Sequence, residues 1–268
     1  MFWNAKNGNI KIDDTDMDYI TFGKGSKPVV MIPGLGDGLT TVKGMAVFMA
    51  LTYHMYARDY KVYVFSRKNH LENGYFTRDM ARDQAEAMRK LGISNAMIVG
   101  VSQGGMIAQY LTIDSPDLVE KLVLVVTLSK QNEIVQEVIE SWIKLAELGD
   151  HKSLMIDIAE KSYSEKYLKK YRMTYPIIGK IGKPKNYERF FIQANACIQH
   201  KAYDELEKIK CPTLVIGGEE DKIVGVNASV EIADKIKNSE LYLYKDLGHA
   251  LYEEAKDFNK RVQEFLSK

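Results

Sequence analysis

Cysteine is scarce in this chain: its 268 residues include two, Cys197 and Cys211. Neither belongs to a metal-spaced or redox motif. Two such thiols in a chain with no evident leader suit a reducing compartment, so a cytoplasmic location is expected. Net charge is nearly absent as well. The 37 basic and 36 acidic residues leave +1, which gives no overall footprint for nucleic acid or an anionic membrane. The opening Met1-Phe2-Trp3-Asn4-Ala5-Lys6 has no basic segment leading into an apolar stretch, so no signal peptide is expected. No apolar run approaches the length that crosses a bilayer, and stable membrane insertion is not expected. Spacers, low-complexity tracts and internal repeats are missing too. What remains is an ordinary apolar fraction of 46%, enough for a sizeable core in one large domain or two small ones.

The hydrophobic pattern alternates between two kinds of segment. Asn9–Phe22 alternates weakly and ends in Gly23-Lys24-Gly25, as an antiparallel edge hairpin does. Short apolar runs follow at Pro28–Ile32, Lys61–Phe65, Ala96–Val101, Leu122–Val126, Thr213–Ile216 and Glu240–Tyr244. Thr77–Leu91, Gly104–Asp114, Val226–Lys237 and Tyr252–Leu266 carry helical spacing. Uniformly apolar strands alternating with helices predict an α/β fold, a mostly parallel sheet flanked by helices on both faces. From Leu128 to His200 the alternation stops. Only helical patterns appear there: Glu133–Leu148, His151–Lys161, Glu165–Tyr175 and Asn186–Gln199. So much helix exceeds one crossover. It predicts a helical cap over residues 128–200, lying above the carboxyl ends of the strands, with 1–127 and 201–268 forming the core domain.

Gly100-Val101-Ser102-Gln103-Gly104-Gly105 sits between an apolar strand and a helix-compatible run. A serine between two glycines at such a junction has the layout of a nucleophile elbow, a strained turn that lifts the hydroxyl above the sheet. A hydroxyl needs a base, and the base needs a carboxylate to fix its tautomer. Of the five histidines, His249 follows the last strand and precedes the final helix, whereas His54, His70, His151 and His200 suit surface or packing roles. Between Ser102 and His249, the run Thr213–Gly218 leads into Glu219-Glu220-Asp221, of which Asp221 is the candidate acid. Glu219 and Glu220 are its alternatives, and Asp246 suits a turn. The tetrahedral intermediate of acyl transfer requires two N–H donors. The amide of Gln103 is one candidate. The other is the amide of Leu35, in the turn Pro33-Gly34-Leu35-Gly36-Asp37-Gly38.

With Ser102, Asp221 and His249 in this order and the Pro33-Gly34-Leu35-Gly36 turn, the chain resembles the α/β-hydrolase superfamily. Ser115-Pro116-Asp117-Leu118-Val119-Glu120-Lys121-Leu122-Val123-Leu124 looks like its lead-in to the sixth strand, and Cys211-Pro212-Thr213-Leu214-Val215-Ile216-Gly217 like the segment before its acid. The resemblance covers nearly the whole chain. It implies eight strands, the second antiparallel, with a helical cap after the sixth. One departure stands out: the oxyanion turn of such enzymes usually begins with histidine and glycine, and here Pro33 precedes Gly34. That histidine is usually structural, so the hole should survive on a different support. Serine rather than aspartate at the elbow argues against a haloalkane dehalogenase.

In the cap, Tyr163, Tyr167, Tyr171 and Tyr175 recur at fourfold spacing, and Phe190 and Phe191 adjoin. Tyr163, Tyr167, Tyr171 and Phe190 are the candidate pocket residues, although packing of the cap against the core is the more ordinary use of such a stripe. Lys161–Lys185 holds eight basic residues around the single acid Glu165, either a draw for an anionic ligand or a solvated face. Gly179, Gly182 and Pro184 suit a lid hinge. The reading is a carboxylesterase-like serine hydrolase of small or medium esters with an apolar acyl or aryl part, needing no metal or organic cofactor. Its partner is a small-molecule ester rather than nucleic acid, and a homodimer stays open. The rivals are a C–C bond hydrolase or perhydrolase with the same three residues, or a ligand-binding signalling receptor.

Overall fold

The structure, a computed structural model, describes residues 3–268. Its frame is one eight-stranded sheet: β1 (Lys6–Ile12), β2 (Thr15–Phe22), β3 (Lys27–Ile32), β4 (Tyr60–Lys68), β5 (Ala96–Val101), β6 (Val119–Val125), β7 (Thr213–Gly218) and β8 (Ser239–Tyr244). Their spatial order is β1-β2-β4-β3-β5-β6-β7-β8. β2 runs antiparallel to both β1 and β4, and the remaining pairs are parallel.

The central strands carry apolar runs because both their faces are covered. Successive side chains of a strand point to opposite faces, and the chain obeys this residue by residue. Val30, Ile32, Ile98, Leu122 and Leu124 enter one core cluster, with Met80 and Met88 of α2 (Thr77–Lys90), Ile107 and Leu111 of α3 (Gln103–Asp114) and Ile232. Val29, Met97, Val99, Val123, Val125 and Ile216 enter the other. There they meet Ala46 and Ala50 of a short helix, α1 (Ala46–Thr52), and Val262 and Phe265 of the last helix, Phe258–Ser267. α3 lies deepest: every residue from Gln103 to Thr112 is buried.

Between β6 and β7 the chain leaves the sheet and forms α4 (Glu133–Glu147), α5 (His151–Ser162), α6 (Glu165–Tyr171), α7 (Tyr175–Ile178) and α8 (Glu188–Ile198). Three of these helices start where a polar side chain accepts an otherwise orphaned amide: Asn132 from Val135 at 2.9 Å, Asp150 from Ser153 at 3.0 Å and Ser164 from Tyr167 at 3.3 Å. α8 presses back on the core, where a Cβ added to Gly38 would stand 2.9 Å from the Cα of Phe190.

Three elements differ from the sequence expectations. The single helix Glu165–Tyr175 is instead α6, a 3₁₀ turn at Arg172–Thr174, and α7. Pro176 has no N–H to donate back to Arg172, so an unbroken helix would lose a bond there. The final helix is likewise two pieces, Leu251–Glu254 and Phe258–Ser267. α1 was not foreseen, because its outward residues Val47, Phe48 and Leu51 are apolar yet exposed, leaving no amphipathic stripe to read. Among the described residues no helix is long and apolar enough to cross a membrane.

Where α8 returns to the sheet, His200 is enclosed between Thr77 Oγ1 at 2.9 Å and Gln109 Oε1 at 3.3 Å, edge-on to Tyr110. Burial pushes its pKa from 6.5 down to about 3. A lowered histidine stays neutral when folded but takes a proton when unfolded, so stability is lost as pH falls below about 6.5. Relative to His200→Gln, the native protein should lose a further 1–2 kcal/mol, roughly, between pH 7 and pH 5 in urea melts. Asp83, raised to about 6 chiefly by burial, titrates in both proteins and cancels. Parallel stability curves for the two proteins would refute the assignment.

Candidate active site

Ser102 joins β5 to α3 with φ 54° and ψ −121°, a left-handed conformation that costs a non-glycine residue on the order of 1–3 kcal/mol. The surroundings leave it no other choice. Its amide donates to Val125 O of β6 at 2.9 Å, and Thr127 Oγ1 donates to its carbonyl at 2.7 Å. The glycines around it exist because the strand and helix nearly touch. A Cβ on Gly100 would lie 2.5 Å from Gly104 O, one on Gly104 1.9 Å from Ile32 O, and one on Gly105 2.6 Å from the Thr127 side chain.

His249 lies in the loop after β8 and Asp221 in the loop after β7. Asp221 Oδ1 accepts the amides of Ile223 and Val224 at 2.9 and 3.0 Å, leaving Oδ2 to meet His249 Nδ1 at 2.8 Å. His249 Nε2 stands 2.9 Å from Ser102 Oγ. A carboxylate only accepts, so Nδ1 carries the ring proton and Nε2 is free to accept from the serine hydroxyl. Both Asp221 and His249 are 7% exposed. Their loops are stitched together, Glu219 N to Tyr244 O and Glu220 N to Leu247 O at 3.0 Å each, while the Glu219 and Glu220 side chains face solvent. Asp246 is an exposed turn residue with φ 59°. The helical layer also holds the histidine loop: Ala250 N donates to Ser162 O at 2.8 Å, and Ser164 bonds Glu254 through its amide at 2.8 Å and its hydroxyl at 2.5 Å.

Leu35 opens a 3₁₀ turn and Gln103 opens α3, and the first amides of a helix have no acceptor within it. The two segments abut: a Cβ on Gly34 would lie 3.3 Å from Ser102 Cβ. The Gln103 side chain turns away from Ser102 into the protein. Its Nε2 donates to Gln193 O at 2.7 Å and to Cys197 Sγ at 3.1 Å, and its Oε1 accepts from Arg67 Nη2 at 2.8 Å.

Arg67 belongs to a buried network that the sequence reading missed. The same Nη2 donates to Pro33 O at 2.6 Å, and the Arg67 amide donates to Asp37 Oδ2 at 3.1 Å. Arg189 of α8 donates to Asp37 Oδ2 at 2.9 Å and to Asp37 O at 2.7 Å. Burial works against the Arg67 charge and the Asp37 carboxylate works for it. The only sequence signal was the polar ending Ser66-Arg67-Lys68 of an otherwise apolar strand.

A cavity of about 490 Å³ opens over Ser102 and His249. Leu35, Met45, Met49, Trp142, Ile158 and Phe190 supply much of its apolar wall. Its charged lining residues are Asp37 and Glu253, with no lysine or arginine among the described residues. Of the four pocket candidates, Tyr163 and Phe190 line this space and Tyr167 and Tyr171 do not. Tyr163 lies past the end of α5, its hydroxyl donating to Glu253 at 2.6 Å. From it the rings stack away from the cavity, 4.6 Å to Tyr167 and 4.2 Å on to Tyr171. The basic stretch stays outside too. Lys161 pairs with Asp157, Arg172 with Glu160 and Glu165, and Lys166, Lys169, Lys170, Lys180, Lys183 and Lys185 are exposed.

A family model of the alpha/beta hydrolase fold matches residues 27–256. The chain belongs to that family. Among curated relatives, a 2-hydroxy-6-oxononadienedioate/2-hydroxy-6-oxononatrienedioate hydrolase from Pseudomonas sp is 25% identical over 98% of this chain and 93% of its own. MGS-M2, an α/β hydrolase from a Medee basin deep-sea metagenome library, superposes with a TM-score of 0.83 at 19% identity, covering 97% of this chain and 98% of that one. The enol-lactonase of Burkholderia xenovorans LB400 superposes at 0.81 with 20% identity, covering 97% and 100%. At these identities the superpositions speak to the fold alone.

The elbow's tightness has a measurable consequence. Gly104→Ala should lower Tm by roughly 8–15 °C, whereas Gly36→Ala, where an added Cβ meets nothing within 4 Å, should change it by at most about 3 °C. Equal melting temperatures for the two variants would contradict this account.

Proposed function

We propose that this α/β hydrolase is a carboxylesterase-like serine hydrolase acting on small or medium esters with an uncharged, apolar acyl or aryl part. The observation that carries the reading is the hydrogen-bonded chain Asp221–His249–Ser102 at an apolar cavity. His249 Nε2 takes the proton as Ser102 Oγ attacks the ester carbonyl, and Asp221 stabilises the imidazolium. The amides of Leu35 and Gln103 receive the oxyanion. His249 then protonates the departing alcohol, and water activated by the same base releases the acid. Residues 128–200 act as the cap that shapes the acyl side of the cavity through Trp142, Ile158, Tyr163 and Phe190.

The curated relative is named as a hydrolase of a dioate, a substrate with two carboxylates. The cavity described above suits such a molecule poorly. Its acids are Asp37, already held by Arg189, and Glu253 at the Tyr163 edge, and no lining cation would pair with a carboxylate. Glu253, which has no cation partner among the described residues, would repel a substrate carboxylate in a partly dehydrated space. Uncharged esters meet no such penalty.

Hydrolysis of p-nitrophenyl acetate and butyrate tests the reading. Ser102→Ala should lower kcat at least about 10³-fold and Asp221→Asn by roughly 10³–10⁴-fold, the latter through loss of the correct imidazole tautomer. Undiminished rates in Ser102→Ala would defeat the proposal. So would a dienedioate cleaved faster than either ester.

A further inference from the structure

We infer that Arg67 is the positioning residue of the oxyanion site: one guanidinium nitrogen cross-braces the two chain segments whose amides receive the developing charge. The inference rests on the hydrolase reading above and deepens it. Leu35 and Gln103 lie far apart in the chain, so nothing local fixes the spacing of their N–H groups. Arg67 Nη2 links the two segments, at 2.6 Å from Pro33 O on one and 2.8 Å from the side-chain Oε1 of Gln103 on the other. The end of β4 grips the first segment at two further points. The Arg67 amide holds Asp37 Oδ2, and Ser66 Oγ accepts the amide of Val42 at 3.0 Å. The whole turn from Pro33 to Val42 is therefore fastened to one strand end. Pro33 occupies the position where related enzymes usually carry histidine, and the Arg67 contact to its carbonyl supplies the different support that this departure requires.

The environment of Arg67 argues that the brace has a purpose beyond stability. It is 1% exposed, and its Nε and Nη1 have no hydrogen-bond partner among the described residues. Enclosing a guanidinium with two unpaired nitrogens is costly, and an apolar residue at the same place would usually be tolerated at least as well. The Arg67 main-chain amide and the Arg189 guanidinium both donate to Asp37 Oδ2, the one carboxylate beside the two guanidinium groups. The network therefore carries one excess positive charge beneath the turn, of the sign that favours a developing oxyanion. Arg67 is not among the cavity-lining residues, so its action passes through the Pro33 carbonyl and the Gln103 side chain that it holds.

The experiment compares native protein with Arg67→Met, Arg67→Lys and Gln103→Leu in two assays. In p-nitrophenyl butyrate hydrolysis, cutting the brace should lower kcat about 100-fold and change KM less than about threefold, because a misplaced donor is felt in the transition state and not in substrate binding. Phenylboronic acid forms a tetrahedral adduct on a serine hydroxyl, so its affinity should fall by a comparable factor. The affinity of benzyl alcohol, which has the ring without the electrophile, should not move. The Arg67→Met/Gln103→Leu double variant should be no worse than the poorer single one. Arg67→Lys and Gln103→Leu keep the test decidable if Arg67→Met does not fold. Unchanged kcat and boronate affinity in folded variants would overturn the brace while leaving the esterase reading intact. Equal losses for boronate and benzyl alcohol would reduce Arg67 to a packing role and overturn it too. Selective loss of boronate affinity in a protein that hydrolyses no ester would uphold the brace and sink the esterase reading.

Discussion

Ser102 is held in its left-handed turn by the packing of α3 against the ends of β3 and β5, and the rest of the site is arranged around that turn. The contact is so close that Gly100, Gly104 and Gly105 are fixed by sterics alone. Val125 and Thr127 reach across from the β6 side to bond the serine backbone, so the strain is sustained by groups that cannot relax independently. Because the turn is rigid, the hydroxyl has one address. Loops from β7 and β8 need only deliver a carboxylate and an imidazole to it.

The three side chains that meet at the candidate site were readable in the sequence because each directly follows a short apolar strand. In a parallel sheet the carboxyl ends of neighbouring strands meet at one edge, so residues far apart in the chain share an address once the strands are recognised. Strand recognition was easy for the same reason: β5, β6 and β7 are buried on both faces and carry uninterrupted apolar runs. The buried network around Arg67 had no such signature. Arg67, Asp37 and Arg189 come from a strand end, a turn and a distant helix, and no spacing relates them before the chain is folded.

The helical layer was legible in its existence and less so in its details. Its helices begin at Asn132, Asp150 and Ser164, residues whose side chains cap, but Pro176 interrupts a pattern that otherwise looks continuous. The tyrosine stripe shows the limit of periodicity as evidence. Spacing of four places rings on a common line, and that line leads outward from Tyr163 rather than along the cavity. The exposed apolar side of α1 was invisible for a related reason, since burial and hydrophobicity part company there.

The bonds from Ser162 and Ser164 to Ala250 and Glu254 join the helical layer to the loop that carries the imidazole. Any outward swing of that layer must either break these bonds or drag the loop along with it. The placement of the helical layer and that of the imidazole thus share a single mechanical linkage, and neither is displaced without the other.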